Sequence, residues 1–274
     1  MRCLTRALVA GAGLIVCIVA SPVDAAETRS KTPSAPRTQS VGSPNEGRLH
    51  GGKKLEGSKS LKAARAHRWG VPSLVGMLER SAARVAKKFP GAVLVVGDLS
   101  RKGGGDVDGH RSHESGRDAD VGFYMRRGTK AWAPGQFITI DADGKAAGYP
   151  SVTFDDARNW ALVEAWLTDR GASVQLILVA QHIKQRLLAQ ARRAGASPEL
   201  QNRAASLMVH PRRGLPHDNH FHVRVACPRS SDDCIEHGTR EKKATAQKKP
   251  KRRTAGSAEN RPTTTKKRRT PKKS

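Results

Sequence analysis

The sequence predicts an α+β fold, in which a small, mainly antiparallel sheet carries packed helices within one domain. The predicted elements follow the order helix, strand, loop, strand, helix, strand, two helices and a final strand. The strands are therefore few, and they do not alternate regularly with helices as the strands of a parallel α/β sheet do. With 274 residues, the chain is long enough for one domain with additional terminal segments.

The first helix is predicted over residues 71–89, where apolar residues recur at helical spacing. Ser73 is the predicted cap of this helix, and the Pro-Gly pair at 90–91 ends it. The apolar face consists of Leu74, Leu78, Ala82, Val85 and Phe89. The Val- and Leu-rich residues 92–100 then predict a buried strand, and residues 118–125 predict a strand of alternating polar and apolar residues.

Residues 127–149 are predicted to form a loop that contains a hairpin turn at "DADGK". A calcium loop is the alternative, but the series of carboxylate ligands stops after Asp141 and Asp143. An amphipathic helix is predicted over 154–169, with Asp155 near its cap.

The C-terminal half of the domain is predicted to hold two more strands and two more helices. Residues 173–180 predict a buried strand, and residues 182–195 predict a helix that Gly195 closes. A short helix over 197–208 and a strand over 220–226 complete the domain.

The termini differ from the domain in composition. We expect residues 1–25 to be a cleaved signal peptide, because two arginines precede an apolar run that is too short to span a membrane. Residues 26–40 are rich in Ser, Thr and Pro and predict a flexible linker. The domain is expected over 41–238, and residues 239–274 form a basic tail without a hydrophobic pattern.

The charge of the chain indicates a polyanionic partner. There are 50 Lys and Arg residues against 24 Asp and Glu, a formal net charge of +26. The tail at 239–274 alone holds 15 Lys and Arg against 2 acidic residues. Basic arms of this kind also bind nucleic acid, but an exported protein does not meet the chromosome. We therefore expect the tail to bind an anionic envelope polymer or lipid, and we expect the protein to be periplasmic with no membrane span after cleavage.

Cysteine usage is consistent with export. Cys3 and Cys17 lie in the predicted signal peptide, which leaves Cys227 and Cys234 in "CPRSSDDC". In an oxidising compartment two cysteines this close predict a disulfide. The alternatives are free thiols or soft metal ligands, and two cysteines alone do not complete a structural zinc site.

The histidines are clustered in two windows. Of the ten histidines, six fall within residues 110–113 and 210–222. His220 and His222 are two residues apart in a predicted strand, so their side chains leave the same face. Asp118 and Asp120 have the same relation in another strand, and His113 precedes Asp120 by seven residues with a turn-permitting glycine between them.

His113, Asp120 and His222 are therefore the predicted ligands of Zn²⁺. Three N and O ligands suit zinc and leave a fourth position for water, which ionises near neutral pH and becomes a nucleophile. His220, one pleat from His222, is the predicted group for proton transfer. His110 is interpreted as a residue that hydrogen-bonds to a metal ligand, as a substrate contact or as a solvated loop residue, and so is His217.

The paired motifs carry a resemblance to a known family. "GHRSHESGRDADVGFY" and, about a hundred residues later, "HDNHFHVRVACP" resemble the penicillin-insensitive murein endopeptidases. "GSPNEGRLHGG" and "VGDLSRKGGG" also resemble segments of that family, so the likeness covers roughly residues 41–236 and leaves the tail outside. The family is one of a larger group of zinc peptidases with D-Ala-D-Ala carboxypeptidases, lysostaphin-like enzymes and the hedgehog signalling domain.

The resemblance implies a set of roles and a reaction. It implies zinc on His113, Asp120 and His222, His220 as a catalytic residue, and His110 and His217 close to the metal. We accordingly group His110 with the metal ligands and His217 with the catalytic candidates. The "CPRSSDDC" loop resembles a disulfide loop of the family.

The expected function is hydrolysis of D-alanyl–diaminopimelate cross-links in peptidoglycan without a serine nucleophile. The motifs do not distinguish this activity from a D-Ala carboxypeptidase or an LD-peptidase. A non-catalytic cell-wall binding protein is the remaining alternative.

Overall fold

The computed structural model describes residues 37–211 and 214–236. In chain order the helices and strands are β1 Gln39–Ser43, β2 Glu46–His50, β3 Lys53–Lys54, β4 Leu61–Ala63, β5 Trp69–Gly70, α1 Pro72–Lys88, β6 Leu94–Val96, β7 Asp118–Gly122, β8 Met125–Arg127, β9 Lys130–Trp132, β10 Lys145–Ala146, β11 Tyr149–Phe154, α2 Asp156–Leu167, β12 Val174–Leu178, α3 Gln181–Arg193, α4 Pro198–Leu207, β13 Met208–Val209 and β14 His220–Val225. The predicted signal peptide and basic tail lie outside the described residues, as does the linker up to residue 36. The first strand begins at Gln39, two residues before the expected start of the domain.

A six-stranded sheet forms the centre of the fold, in the order β13-β12-β14-β7-β6-β4. Its three inner pairings are antiparallel, and the pairings at its two edges are parallel. A second sheet in the order β10-β11-β8-β9 is antiparallel throughout. The predicted α+β fold with a mainly antiparallel sheet is confirmed.

The helices pack around α2, most of whose residues are buried. Trp166 of α2 has its ring centroid 5.5 Å from that of Phe221 in β14, and its Nε1 donates a hydrogen bond to Ser81 of α1. As predicted, Asp155 caps α2, because its side chain accepts a hydrogen bond from the Arg158 N–H. This packing covers the face of β14 that carries Phe221, and the opposite face of the strand is available for the site.

The predicted cap of α1 is wrong. The helix begins at Pro72, with extended Val71 as the N-cap residue and no side-chain cap, so Ser73 lies inside the first turn. Proline favours this first position, because its fixed φ is helical and its missing N–H would have no partner there. The residue before a proline favours extended backbone, which places the boundary at Val71.

The predicted loop at 127–149 contains strands. The strands β9 and β10 pair within the second sheet, and the predicted hairpin turn at Asp141 lies between them, directly before β10. The Lys145 N–H donates to Asp141 Oδ1 at 2.7 Å and closes that turn. Strands of two or three residues are too short to show an alternating pattern, so the sequence does not reveal them.

The C-terminal end of the described chain is fastened behind the central sheet. Cys227 and Cys234 form the predicted disulfide. The wholly buried Arg117 donates to the Val225 carbonyl, to Glu236 Oε2 at 3.0 Å and to the Ile235 carbonyl. Arg117 directly precedes β7, so these bonds hold the start of that strand in place.

Of the helices in the described ranges, none combines the length and the apolar character that crossing a membrane requires.

Candidate metal centre and active site

The pairing of β7 with β14 assembles one side of the site. Asp120 lies opposite His222, and Gly122 lies opposite His220. Alternate residues of a strand share a face, so Asp120, His220 and His222 project together, while Phe221 points into the core. The predicted convergence of the two strands is confirmed.

The loop between β6 and β7 brings His110 and His113 to this face. His113 is 1% exposed and adopts φ +76°, which is uncommon for a residue other than glycine. Gly116 follows with φ +75°, and a Cβ there would lie 2.7 Å from the Leu49 side chain. The turn that folds His113 back beside Asp120 therefore requires a glycine at 116, as the sequence predicts.

His110, His113 and Asp120 form a cluster that could hold a metal ion, with one ligand atom from each lying within 4.8 Å of the others. His113 Nε2 lies 3.3 Å from Asp120 Oδ1, and His110 Nδ1 lies 3.5 Å from Asp120 Oδ2. His222 approaches the same carboxylate, with Nδ1 3.0 Å from Oδ1. Asp120 is thus the common neighbour of these three imidazoles, and His220 approaches it as well.

One orphaned atom tests whether these donors fit a cation. The His113 Nδ1 donates to the Leu99 carbonyl at 2.7 Å, so the neutral ring carries its lone pair on Nε2. That Nε2 is buried without a hydrogen-bond partner and faces a carboxylate oxygen. A lone pair and a carboxylate repel each other unless a cation or proton lies between them. A nitrogen and oxygen donor set of this kind suits Zn²⁺.

In the metal-free site, the pKa values of Asp120 and His222 are strongly shifted. Burial opposes ionisation of Asp120, yet His113, His220 and His222 outweigh it and hold the pKa of that carboxyl well below its usual range. Burial alone would lower the pKa of His222, but its contacts with Asp118 and Asp120 raise that pKa to about 9. His222 is therefore protonated on both ring nitrogens in the metal-free protein at neutral pH, so a metal ion at its Nδ1 would have to displace the proton there.

The metal-free protein should lose stability as the pH rises from 6.5 to 9. The pKa of His222 is raised from 6.5 to about 9, so its contribution to the free energy of unfolding is complete below pH 6.5 and lost as the pH passes about 9. The carboxyls of Asp118 and Asp120 have lowered pKa values and act in the opposite sense, since their contribution is lost as the pH falls below about 4. Thermal unfolding with a chelator measures both effects. His222→Gln should flatten the decline above pH 6.5, and an equally flat wild-type profile would contradict the assignment.

His220 and His217 lie beside the cluster rather than within it. The His220 Nε2 lies 3.5 Å from Asp120 Oδ1, and its Nδ1 side contacts the Asn219 side-chain oxygen. His217 has φ +54° and its Nδ1 donates to the Leu215 carbonyl. Its ring centroid lies 5.0 Å from that of His220, and burial lowers its pKa. Both predicted catalytic candidates therefore border the same space.

Several contributors to the site lack a signal in the sequence pattern. Phe137 stacks on the His220 ring with centroids 4.9 Å apart, although it comes from the segment predicted as a loop. It fits there because Gly97, directly after β6, and Gly122, in β7, lack a Cβ, which would lie 2.6 Å and 3.1 Å from its ring. Asp98 lies 3.6 Å from His110 Nε2, and this contact raises the pKa of His110. The two glycines flanking apolar strand residues are the one clue that the sequence offers.

Asp118 lies on the same face of β7 as Asp120, and its side chain reaches His222 of the paired strand. Its wholly buried carboxylate contacts His222 Nε2 at 2.9 Å and Arg224 Nε at 2.6 Å. It thus lies on the far side of His222 from Asp120.

Comparison with known proteins identifies the family of the chain. A family model described as penicillin-insensitive murein endopeptidase matches residues 40–274, which include the basic tail that the motif resemblance leaves outside. A penicillin-insensitive murein endopeptidase of Haemophilus influenzae is 30% identical over 226 residues, 79% of this chain and 74% of that protein. A protein of the same name from Yersinia enterocolitica is 29% identical over 241 residues, 83% of this chain and 81% of that protein. The chain belongs to the penicillin-insensitive murein endopeptidase family.

Proposed function

We propose that this protein is a zinc-dependent murein endopeptidase that hydrolyses the D-alanyl–diaminopimelate cross-links of peptidoglycan. The observation that carries the proposal is the buried, unpartnered His113 Nε2, which faces Asp120 among converging histidines. Family membership and the names of the relatives support peptidoglycan as the substrate.

His113, Asp120 and His222 are the proposed zinc ligands, with Nε2 of His113, a carboxylate oxygen of Asp120 and Nδ1 of His222 as donors. His110 also belongs to the cluster, but its Nδ1 approaches the other oxygen of Asp120, so it is proposed to lie at the edge of the metal site. Zinc bound there would polarise the scissile carbonyl and lower the pKa of a water to near neutrality.

His220 and His217 are proposed to act on the substrate. The His220 ring is half-buried and held between Phe137 and Asn219, so its Nε2 has a fixed direction toward the reacting atoms. We assign it proton transfer to the departing amine and hydrogen bonding to the oxyanion. His217 has its Nδ1 proton engaged with a carbonyl, which leaves Nε2 as a second acceptor at the rim.

The two terminal segments are proposed to direct the protein to its substrate. Export by the N-terminal 25 residues would place the domain in the periplasm, where cross-linked peptidoglycan lies. The basic tail at 239–274 would hold it on an anionic envelope polymer or lipid.

Removing residues 239–274 should weaken retention on anionic envelope material and leave hydrolysis of soluble fragments unchanged. The deletion removes a net charge of +13. Because salt screens electrostatic attraction, the difference in retention should be largest at low salt. Co-sedimentation with anionic phospholipid vesicles and with envelope polysaccharide at several salt concentrations measures the effect. Equal retention of both forms at low salt would contradict the tail's role.

Digestion of purified sacculi by the zinc-loaded protein tests the proposed function directly. Mass spectrometry should find cross-linked dimers converted to monomers, and EDTA should stop the conversion until zinc is restored. Loss of terminal D-Ala without loss of cross-links would indicate a carboxypeptidase. Cleavage of bonds between an L- and a D-residue would indicate an LD-peptidase. Binding to sacculi with no cleaved product would indicate a binding protein.

A further inference from the structure

We propose that Asp118 is a positioning residue that fixes the His222 imidazole in the form that binds zinc. The inference rests on the proposed function, because it takes His222 as a ligand. Asp118 lies on the opposite side of the His222 ring from Asp120, so it reaches the metal only through that ring.

The direction of the His222 ring sets the requirement. A neutral imidazole has one N–H group and one lone pair, and only the lone pair binds a metal. Nδ1 of His222 faces Asp120 at 3.0 Å, so a zinc ion held by both residues needs the lone pair on Nδ1 and the proton on Nε2. His222 is only 4% exposed, so this N–H needs a protein acceptor rather than water.

Asp118 supplies that acceptor. Its Oδ1 lies 2.9 Å from His222 Nε2, and the residue is 0% exposed. A carboxylate that accepts from the outer nitrogen of a histidine fixes the tautomer, fixes the ring plane and makes the inner nitrogen a stronger donor.

A neighbouring cation and an anchored backbone hold Asp118 in this position. Arg224 lies opposite it in the β7–β14 register, and the Arg224 Nε donates to the same oxygen at 2.6 Å. Arg117, the preceding residue, is anchored to the Val225 carbonyl and to Glu236. The carboxylate is therefore oriented before any metal arrives, which is what a positioning role requires.

Zinc affinity of the full-length protein, measured by competition with a chromophoric chelator, tests this role. Asp118→Ala should weaken zinc binding about 10- to 100-fold. Asp118→Asn keeps a carbonyl acceptor of the same shape. It should therefore weaken zinc binding at least threefold, but less than Asp118→Ala does, and ¹⁵N NMR spectra should still show the Nε2–H tautomer of His222. Asp143→Ala, in the exposed hairpin turn, is the matched control and should bind zinc as the wild type does.

Each outcome decides the matter. Zinc affinities within twofold of wild type for both Asp118 variants would overturn the positioning role, and a lower melting temperature alone would assign Asp118 to stability. If Asp118→Ala does not fold, the isosteric Asn variant decides by itself. A wild-type protein that binds no zinc would instead overturn the proposed function, and this inference with it.

Discussion

Replacing His113 should remove both zinc binding and hydrolysis of cross-linked muropeptides. Its Nε2 is buried, lacks a hydrogen-bond partner and lies 3.3 Å from Asp120, so its removal takes one donor from the proposed ligand set. Metal catalysis supplies several kcal/mol of transition-state stabilisation, and each 1.36 kcal/mol is a factor of ten. We therefore expect His113→Ala to lower kcat/KM by more than about a thousandfold, with less than one equivalent of zinc retained after dialysis.

The backbone at this position requires a second variant. His113 adopts φ +76°, where alanine is strained, whereas asparagine tolerates this region better. The variant also loses the bond from Nδ1 to the Leu99 carbonyl, which contributes about 1 kcal/mol to stability. His113→Asn separates ligand loss from backbone strain, and His50→Ala, at an exposed position in β2, is the matched control. Full activity with one equivalent of zinc in both His113 variants would show that His113 is not a ligand.

The site residues on strands were predictable because the period of a strand is two. His220 with His222, and Asp118 with Asp120, are spaced so that each pair shares a face, and the structure places those faces together. The turn that returns His113 was predictable for a similar local reason, namely the glycine at 116. What chemistry the site needs was therefore visible in two short windows of the sequence.

The parts that the sequence did not reveal depend on tertiary contacts. Phe137 reaches His220 only because glycines after β6 and at the end of β7 leave room for its ring. The acceptor role of Asp118 depends on the register between β7 and β14, which sequence spacing alone does not define. The wrong prediction of Ser73 as the N-cap of α1 has a local cause. The helix has proline at its first position, and it begins there without a side-chain cap.

Replacing His220 should abolish turnover while the metal stays bound. Its Nε2 lies 3.5 Å from Asp120 Oδ1, and the stacked Phe137 ring and the Asn219 side chain hold it beside the proposed ligands. A group that transfers protons in the transition state contributes about 10²- to 10⁴-fold to the rate. We therefore expect His220→Ala to lower kcat by that factor, with one equivalent of zinc and KM close to wild type.

The zinc content of the same variant separates two roles that geometry alone leaves adjacent. The enzyme loses activity when either a metal ligand or a proton-transferring residue is removed, but it loses the metal only when a ligand is removed. Phe137→Leu supplies the graded comparison, because it keeps an apolar side chain against the two glycines and removes only the stacked ring. It should retain zinc and lose less activity than His220→Ala, since His220 keeps its nitrogen but loses one of the contacts that orient it. Loss of zinc from His220→Ala would make His220 a ligand, and the proton would then have to pass through His217, whose ring lies 5.0 Å away.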